Sequence, residues 1–185
     1  ELYSIILAAG ATWWLIACGL VMQYPKKVSI WQAKPVRAVL GFFVLVPMWV
    51  GFMTLKSQEY SSLIIVYVML LIWGADTGAY FAGKTWGNAK LAPNVSPGKS
   101  WAGFWGGLAT TGLIAIIFSL CVNHWLRPMN VDDFTLLAII TFITAIISVM
   151  GDLVESMMKR HRGIKDSSQL LPGHGGVLDR IDSMA

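Results

Sequence analysis

Residues 134–154 read FTLLAIITFITAIISVMGDLV, and the chemistry of this run decides the fold. It carries a single charge, Asp152, close to its end. A helix crossing a bilayer needs about 20 mostly apolar residues in a row, a length that helices in soluble cores seldom reach without a charge. Four further stretches, Tyr3–Met22, Val36–Leu55, Ser61–Phe81 and Ala102–Val122, have the same character, and across all five windows the only carboxylates are Asp76 and Asp152. Composition agrees: 56% of the residues are hydrophobic and 13% charged, where an ordinary soluble domain carries about 25% charged residues. The expected fold is therefore all-α, a polytopic membrane helical bundle of about five transmembrane helices whose cytoplasmic polar loops form the site.

No repeat, low-complexity tract or flexible linker interrupts residues 1–185, which predicts a single integral-membrane catalytic domain. A secretory leader is not expected, because the first span has neither a basic leader nor a small-residue cleavage site. The chain opens on Glu1 and stops at Ala185 just after a polar segment. A fragment of a longer membrane protein is expected.

The basic residues orient the bundle. Lys26, Lys27, Lys34 and Arg37 lie between spans one and two, Lys84, Lys90 and Lys99 follow span three, and Lys159, Arg160, Arg162, Lys165 and Arg180 follow span five. Of the 14 lysines and arginines, only Lys56 and Arg127 fall on the other side. Cytoplasmic loops concentrate Lys and Arg, so the three basic segments are expected in the cytoplasm and the start of the chain outside. Cys18 and Cys121 fall in apolar spans, where they are expected to act as small hydrophobes, and with His124, His161 and His174 they show no zinc-ligand spacing.

Continuing past Asp152, the sequence turns polar. In SVMGDLVESMMKR, Asp152, Glu155, Ser156 and Lys159 stand at i, i+3, i+4 and i+7, one stripe of a helix. Such a stripe could simply be an amphipathic end meeting water, with Lys159 and Arg160 as snorkelling anchors. Asp152 lies deeper in the apolar run, where a carboxylate is costly and usually functional. Further on, Asp179 and Asp182 are i and i+3 in DRID, so a helix there would present both on one face. Paired carboxylates suit a hard cation such as Mg²⁺. With Asp152 and Asp76 they could build a carboxylate cluster at the cytoplasmic membrane edge, whose mutual repulsion a metal would remove. The intervening PGHGG offers exposed backbone N–H groups that can form an anion-binding concavity.

Upstream, residues 74–103 read GADTGAYFAGKTWGNAKLAPNVSPGKSWAG. Its glycines and prolines are expected to break the helix and let backbone approach a ligand. Asp76 shares a helical face with Tyr80; it either caps a helix break and pairs with a nearby lysine or binds a ligand or metal. In NHWLRPMNVDD, the Asp pair is expected to cap the fifth span. Acids and bases interleaved beside a bilayer suggest a metal-bridged polyanionic substrate, the apparatus of phosphoryl or nucleotidyl transfer.

These residues also resemble a specific family. SMMKRHRGIKDSSQLLPGHGGVLDRID, Ser156 to Asp182, is similar to the signature of the bacterial-type phosphatidate cytidylyltransferases (CDP-diacylglycerol synthases), S-x-x-K-R, four residues, K-D, then H-G-G-x-x-D-R-x-D. The resemblance extends upstream through GDLVES and the glycine-rich segment, covering roughly Leu55 to the end; the first two spans resemble only generic membrane helices.

The resemblance implies a multi-pass protein of the bacterial inner membrane that condenses CTP with phosphatidate to CDP-diacylglycerol and pyrophosphate, with its active site facing the cytoplasm. It implies Mg²⁺, with room for a second, monovalent cation such as K⁺, membrane lipids as surroundings, no nucleic acid, and allows a homodimer. Asp152, Asp179, Asp182, Lys165 and His174 are implied as catalytic. Asp76, Lys84, Lys99, Ser156, Lys159, Arg160, Asp166, Gly175, Gly176 and Arg180 are implied to contact substrate, and the metal would rest on Asp152, Asp179, Asp182 and Asp76. A CTP-dependent lipid kinase would also handle a nucleotide and a lipid, but would transfer the γ-phosphoryl to a hydroxyl. A transporter using Asp76 and Asp152 as ion sites would need carboxylates near mid-bilayer and two similar halves.

Overall fold

Each expected span forms one helix in the computed structural model, which describes residues 2–26, 28–164 and 167–168. The helices are α1 (Leu2–Met22), α2 (Lys34–Lys56), α3 (Ser61–Trp86), α4 (Trp101–Trp125) and α5 (Val131–His161). All five are long and apolar enough to cross a membrane. Large apolar side chains such as Leu15, Trp49, Ile116 and Ile143 remain exposed on them, the surface that a helix presents to lipid. Between α3 and α4 lies a two-stranded hairpin, β1 (Lys90–Ala92) and β2 (Ser96–Ser100).

Two helices run well past their apolar windows. Hydropathy marks only the immersed part of a helix; residues such as Glu155, Met157, Met158, Lys159 and Arg160 are good helix formers and carry α5 on to His161. In α3 the helix continues through Gly74 and Asp76 to Trp86, so the expected break falls after Trp86 rather than at Asp76, and Asp76 is not a cap.

The chain packs as two compact units. One combines α1, α2, the hairpin turn Asn94–Ser96 and α5 from Met150 onward. Here α1 packs on α2, and their backbones approach so closely that a Cβ at Gly10 would meet Pro47 Cβ at 2.5 Å. Trp31, in the connection between these helices, is 2% exposed and packs edge-on against His161 at 4.8 Å between ring centroids. That contact ties the α1–α2 connection to the end of α5.

The other unit contains α3, most of the hairpin, α4 and α5 up to Val149. The buried residues of α4 are Gly103, Gly107, Thr111, Ala115 and Ser119, a stripe of small side chains every four residues. Against them α3 sets Ala75, Gly78, Ala79 and Ala82. A Cβ at Gly107 would lie 2.9 Å from the Ala75 carbonyl oxygen, and one at Gly103 would lie 2.9 Å from that of Ala79. Gly78 and Gly103, two of the glycines expected to admit a ligand, thus let two helices touch, the small-residue packing that substitutes for a hydrophobic driving force inside a bilayer. Tyr67 on α3 stacks on Phe118 of α4 at 4.0 Å, and its hydroxyl meets Thr141 Oγ1 of α5 at 2.6 Å.

The start of α5 is fixed by a reciprocal pair. Asp133 donates its N–H to Asn130 Oδ1 at 2.8 Å, and the Asn130 N–H donates to Asp133 Oδ2 at 3.1 Å. This is a capping box built on Asn130 rather than on the Asp pair alone. Arg127 closes it with a bidentate bond to Asp133 at 3.0 and 3.1 Å.

Candidate active site

The polar end of α5 carries the candidate chemistry. Because α5 stays helical to His161, Asp152, Glu155, Ser156 and Lys159 form the expected stripe. Ser156 Oγ donates to Asp152 Oδ1 at 3.3 Å, orienting a part-buried carboxylate. Glu155 is only 8% exposed and forms an ion pair with Lys159 one turn on. Arg160 donates its Nε–H to the carbonyl of Val95 at 3.3 Å, and Val95 is buried at 2% exposure. The guanidinium therefore holds the hairpin turn while its other N–H groups stay able to face an anion.

The same unit has a cleft of about 530 Å³ lined by Lys34, Arg37, Glu155, Lys159 and Arg162, with Met158 among its apolar wall residues. A volume of this size lies within the range of small-molecule sites. Lys34 and Arg37 come from the first turn of α2. In sequence they counted only toward orientation, because α2 otherwise resembles a generic membrane helix. The available signal was their register: basic residues three apart at a helix start share a face.

In the other unit, Lys99 on β2 donates from Nζ to the Val149 carbonyl of α5 at 3.1 Å. Ser100 ends β2 and caps α4 by accepting the Gly103 N–H at 3.1 Å. Asp76, Tyr80 and Lys84 occupy successive turns of one exposed face of α3, with the Lys84 ammonium 5.8 Å from the Tyr80 ring centroid. Lys165, Asp166, His174, Gly175, Gly176, Asp179, Arg180 and Asp182 lie outside the described residues. Among the described residues no three His, Cys, Asp or Glu side chains gather as a metal site. Of the four expected metal ligands, Asp152 and Asp76 are described, and Asp152 fits a hard cation: a part-buried oxygen donor with a hydroxyl bonded to it.

Five apolar helices and a polar end on α5 define a multi-pass membrane protein. A model of the cytidylyltransferase family matches residues 1–185, and the chain belongs to that family. It is 45% identical over 189 residues to a phosphatidate cytidylyltransferase of Haemophilus influenzae, covering 98% of this chain and 65% of that protein. It is also 45% identical over 185 residues to one of Pseudomonas aeruginosa, covering 100% of this chain and 66% of that protein. A Bacillus subtilis protein of the same name is 39% identical over 150 residues, covering 78% of this chain and 54% of its own length. The chain thus spans about 65% of the length of the first two relatives.

Proposed function

We propose that this chain is the catalytic domain of a phosphatidate cytidylyltransferase, joining CTP and phosphatidate into CDP-diacylglycerol and pyrophosphate at the cytoplasmic face of a bacterial inner membrane. The observation that carries this is the end of α5, where Asp152, Ser156, Lys159 and Arg160 occupy consecutive turns in a chain of the cytidylyltransferase family. The relatives' names supply the substrates, and the grouping of Lys34 and Arg37 with Lys159 and Arg162 in one cleft supports a single basic side.

In the proposed reaction a lipid phosphate oxygen attacks the α-phosphorus of CTP, the bond to the β-phosphate bridging oxygen breaks, and pyrophosphate leaves. The nucleophile is already anionic, so no strong base is required; the difficulty is bringing two polyanions together. Lys159, Lys165, Arg160 and Arg180, with Lys84 and Lys99, are proposed to neutralise phosphate oxygens, and His174, Gly175 and Gly176 to shape the phosphate loop. Asp166 completes the proposed substrate contacts. Asp152, with Asp179, Asp182 and Asp76, would hold Mg²⁺, which offsets phosphate charge when bound; a monovalent cation is the proposed second ion. Ser156 orients the Asp152 carboxylate.

Product analysis of the intact protein in detergent with phosphatidate, CTP and Mg²⁺ tests this. CDP-diacylglycerol with pyrophosphate is expected; phosphorylated lipid with CDP would mark a kinase instead. Asp179→Asn is expected to abolish turnover while the protein still folds, and retained activity would remove Asp179 from the metal site.

A further inference from the structure

Among the described residues, the cleft between the start of α2 and the end of α5 is lined by more positive than negative side chains. Lys34, Arg37, Lys159 and Arg162 line it, while Glu155 is the only carboxylate lining it among the described residues, and Glu155 is engaged by Lys159. Like charges gathered at a membrane boundary repel and gain from an arriving anion. Arginine guanidinium groups match the oxygens of a phosphate bidentately. Ala38, Met158 and Ile164 add an apolar wall, so the cleft combines a cationic rim with hydrocarbon.

We infer that this cleft is a phosphate-binding subsite in which Lys34, Arg37 and Arg162 recruit a phosphate-bearing substrate, either the phosphomonoester of the lipid or the polyphosphate of the nucleotide. The inference rests on the proposed reaction for the identity of those two ligands. It extends the substrate contacts to α2, a helix outside the motifs that carry the family resemblance.

The test is binding without turnover. The intact protein in detergent is titrated with dioctanoyl phosphatidate, with CTP, and with dioctanoylglycerol as the lipid lacking phosphate. In the Arg37→Gln/Arg162→Gln double variant, Kd for at least one phosphate-bearing ligand rises about tenfold, the scale of lost charge-assisted bonds. Dioctanoylglycerol binding stays unchanged, and Arg37→Lys/Arg162→Lys, which keeps the charge but loses the bidentate fork, falls between wild type and the Gln pair. A rise confined to phosphatidate assigns the lipid phosphate, and one confined to CTP assigns the nucleotide. Should the double variant elute as aggregate, exposed Lys34→Gln replaces it, with a rise of about threefold expected. Unchanged Kd for both phosphate ligands overturns the inference and leaves these cations as anchors to an anionic membrane surface. Because binding is read without product, absence of CDP-diacylglycerol would refute the proposed reaction and leave this outcome standing on its own.

Discussion

Arg160, in the last turn of α5, donates its Nε–H to the main-chain carbonyl of Val95 at 3.3 Å, so a residue of the polar helix end also holds the turn of the β1–β2 hairpin. Arginine can do both, since its planar fork carries five N–H donors and this bond uses one. Arg160→Lys keeps the charge but loses the fork. We expect faster backbone hydrogen exchange over residues 94–96 in that variant, with CTP turnover lowered alongside it. Exchange unchanged from wild type would mean that Val95 is held by packing alone.

The Tyr67–Thr141 pair makes an asymmetric prediction. Thr141 Oγ1 donates to the Leu137 carbonyl at 2.7 Å, so its one proton is committed and the Tyr67 hydroxyl must be the donor at 2.6 Å. Tyr67→Phe leaves Thr141 bonded to its own helix and should cost about 0.5–1.5 kcal/mol. Thr141→Val strands a buried phenol and should cost more, about 1–3 kcal/mol. Denaturant unfolding in mixed micelles checks the order; equal losses would contradict the donor assignment.

Helix contact between α3 and α4 depends on missing side chains. Gly107→Val would drive its Cβ into the Ala75 carbonyl region, and overpacking of this kind costs about 1–3 kcal/mol. Gly112 on the same helix has nothing within 4 Å of where a Cβ would stand. Gly112→Ala should therefore be neutral or gain up to about 1 kcal/mol from helix propensity. Thermal unfolding of the two variants side by side distinguishes a specific packing face from a general need for glycine.

How much of this was readable beforehand differs by feature. Five apolar windows placed five helices, because the length that hydrocarbon demands is a coarse and robust signal. The i, i+3, i+4, i+7 spacing placed Asp152, Glu155, Ser156 and Lys159 on one stripe because α5 stays regular there. Two glycines of residues 74–103 were misread: composition alone cannot tell a glycine that admits a ligand from one that admits another helix, and Gly78 and Gly103 turned out to face α4 and α3. Lys34 and Arg37 were seen as charges but not as cleft walls, since their partner residues lie more than a hundred positions away in the chain. Asn130 was missed as the cap of α5 because the adjacent Asp132 and Asp133 carry the stronger acidic signal.

Ser156 supplies a graded test of the metal assignment. Its hydroxyl bonds the Asp152 carboxylate, and loss of such an orienting group typically weakens metal binding about 10–100-fold. Ser156→Ala should raise the Mg²⁺ concentration needed for half-maximal activity by about tenfold or more, with turnover recovering at saturating Mg²⁺. Asp152→Asn should not recover at any Mg²⁺ concentration. A Ser156→Ala enzyme with wild-type Mg²⁺ dependence would separate Asp152 from the metal.

The fate of a single radioactive phosphorus tests the central claim most directly. The intact protein in detergent, given phosphatidate and Mg²⁺, is offered CTP labelled at the α-phosphorus in one reaction and at the γ-phosphorus in another. Cytidylyl transfer puts the α label into lipid and the γ label into pyrophosphate. Lipid labelled from the γ position, or no labelled lipid while a known cytidylyltransferase works in the same mixture, would contradict it.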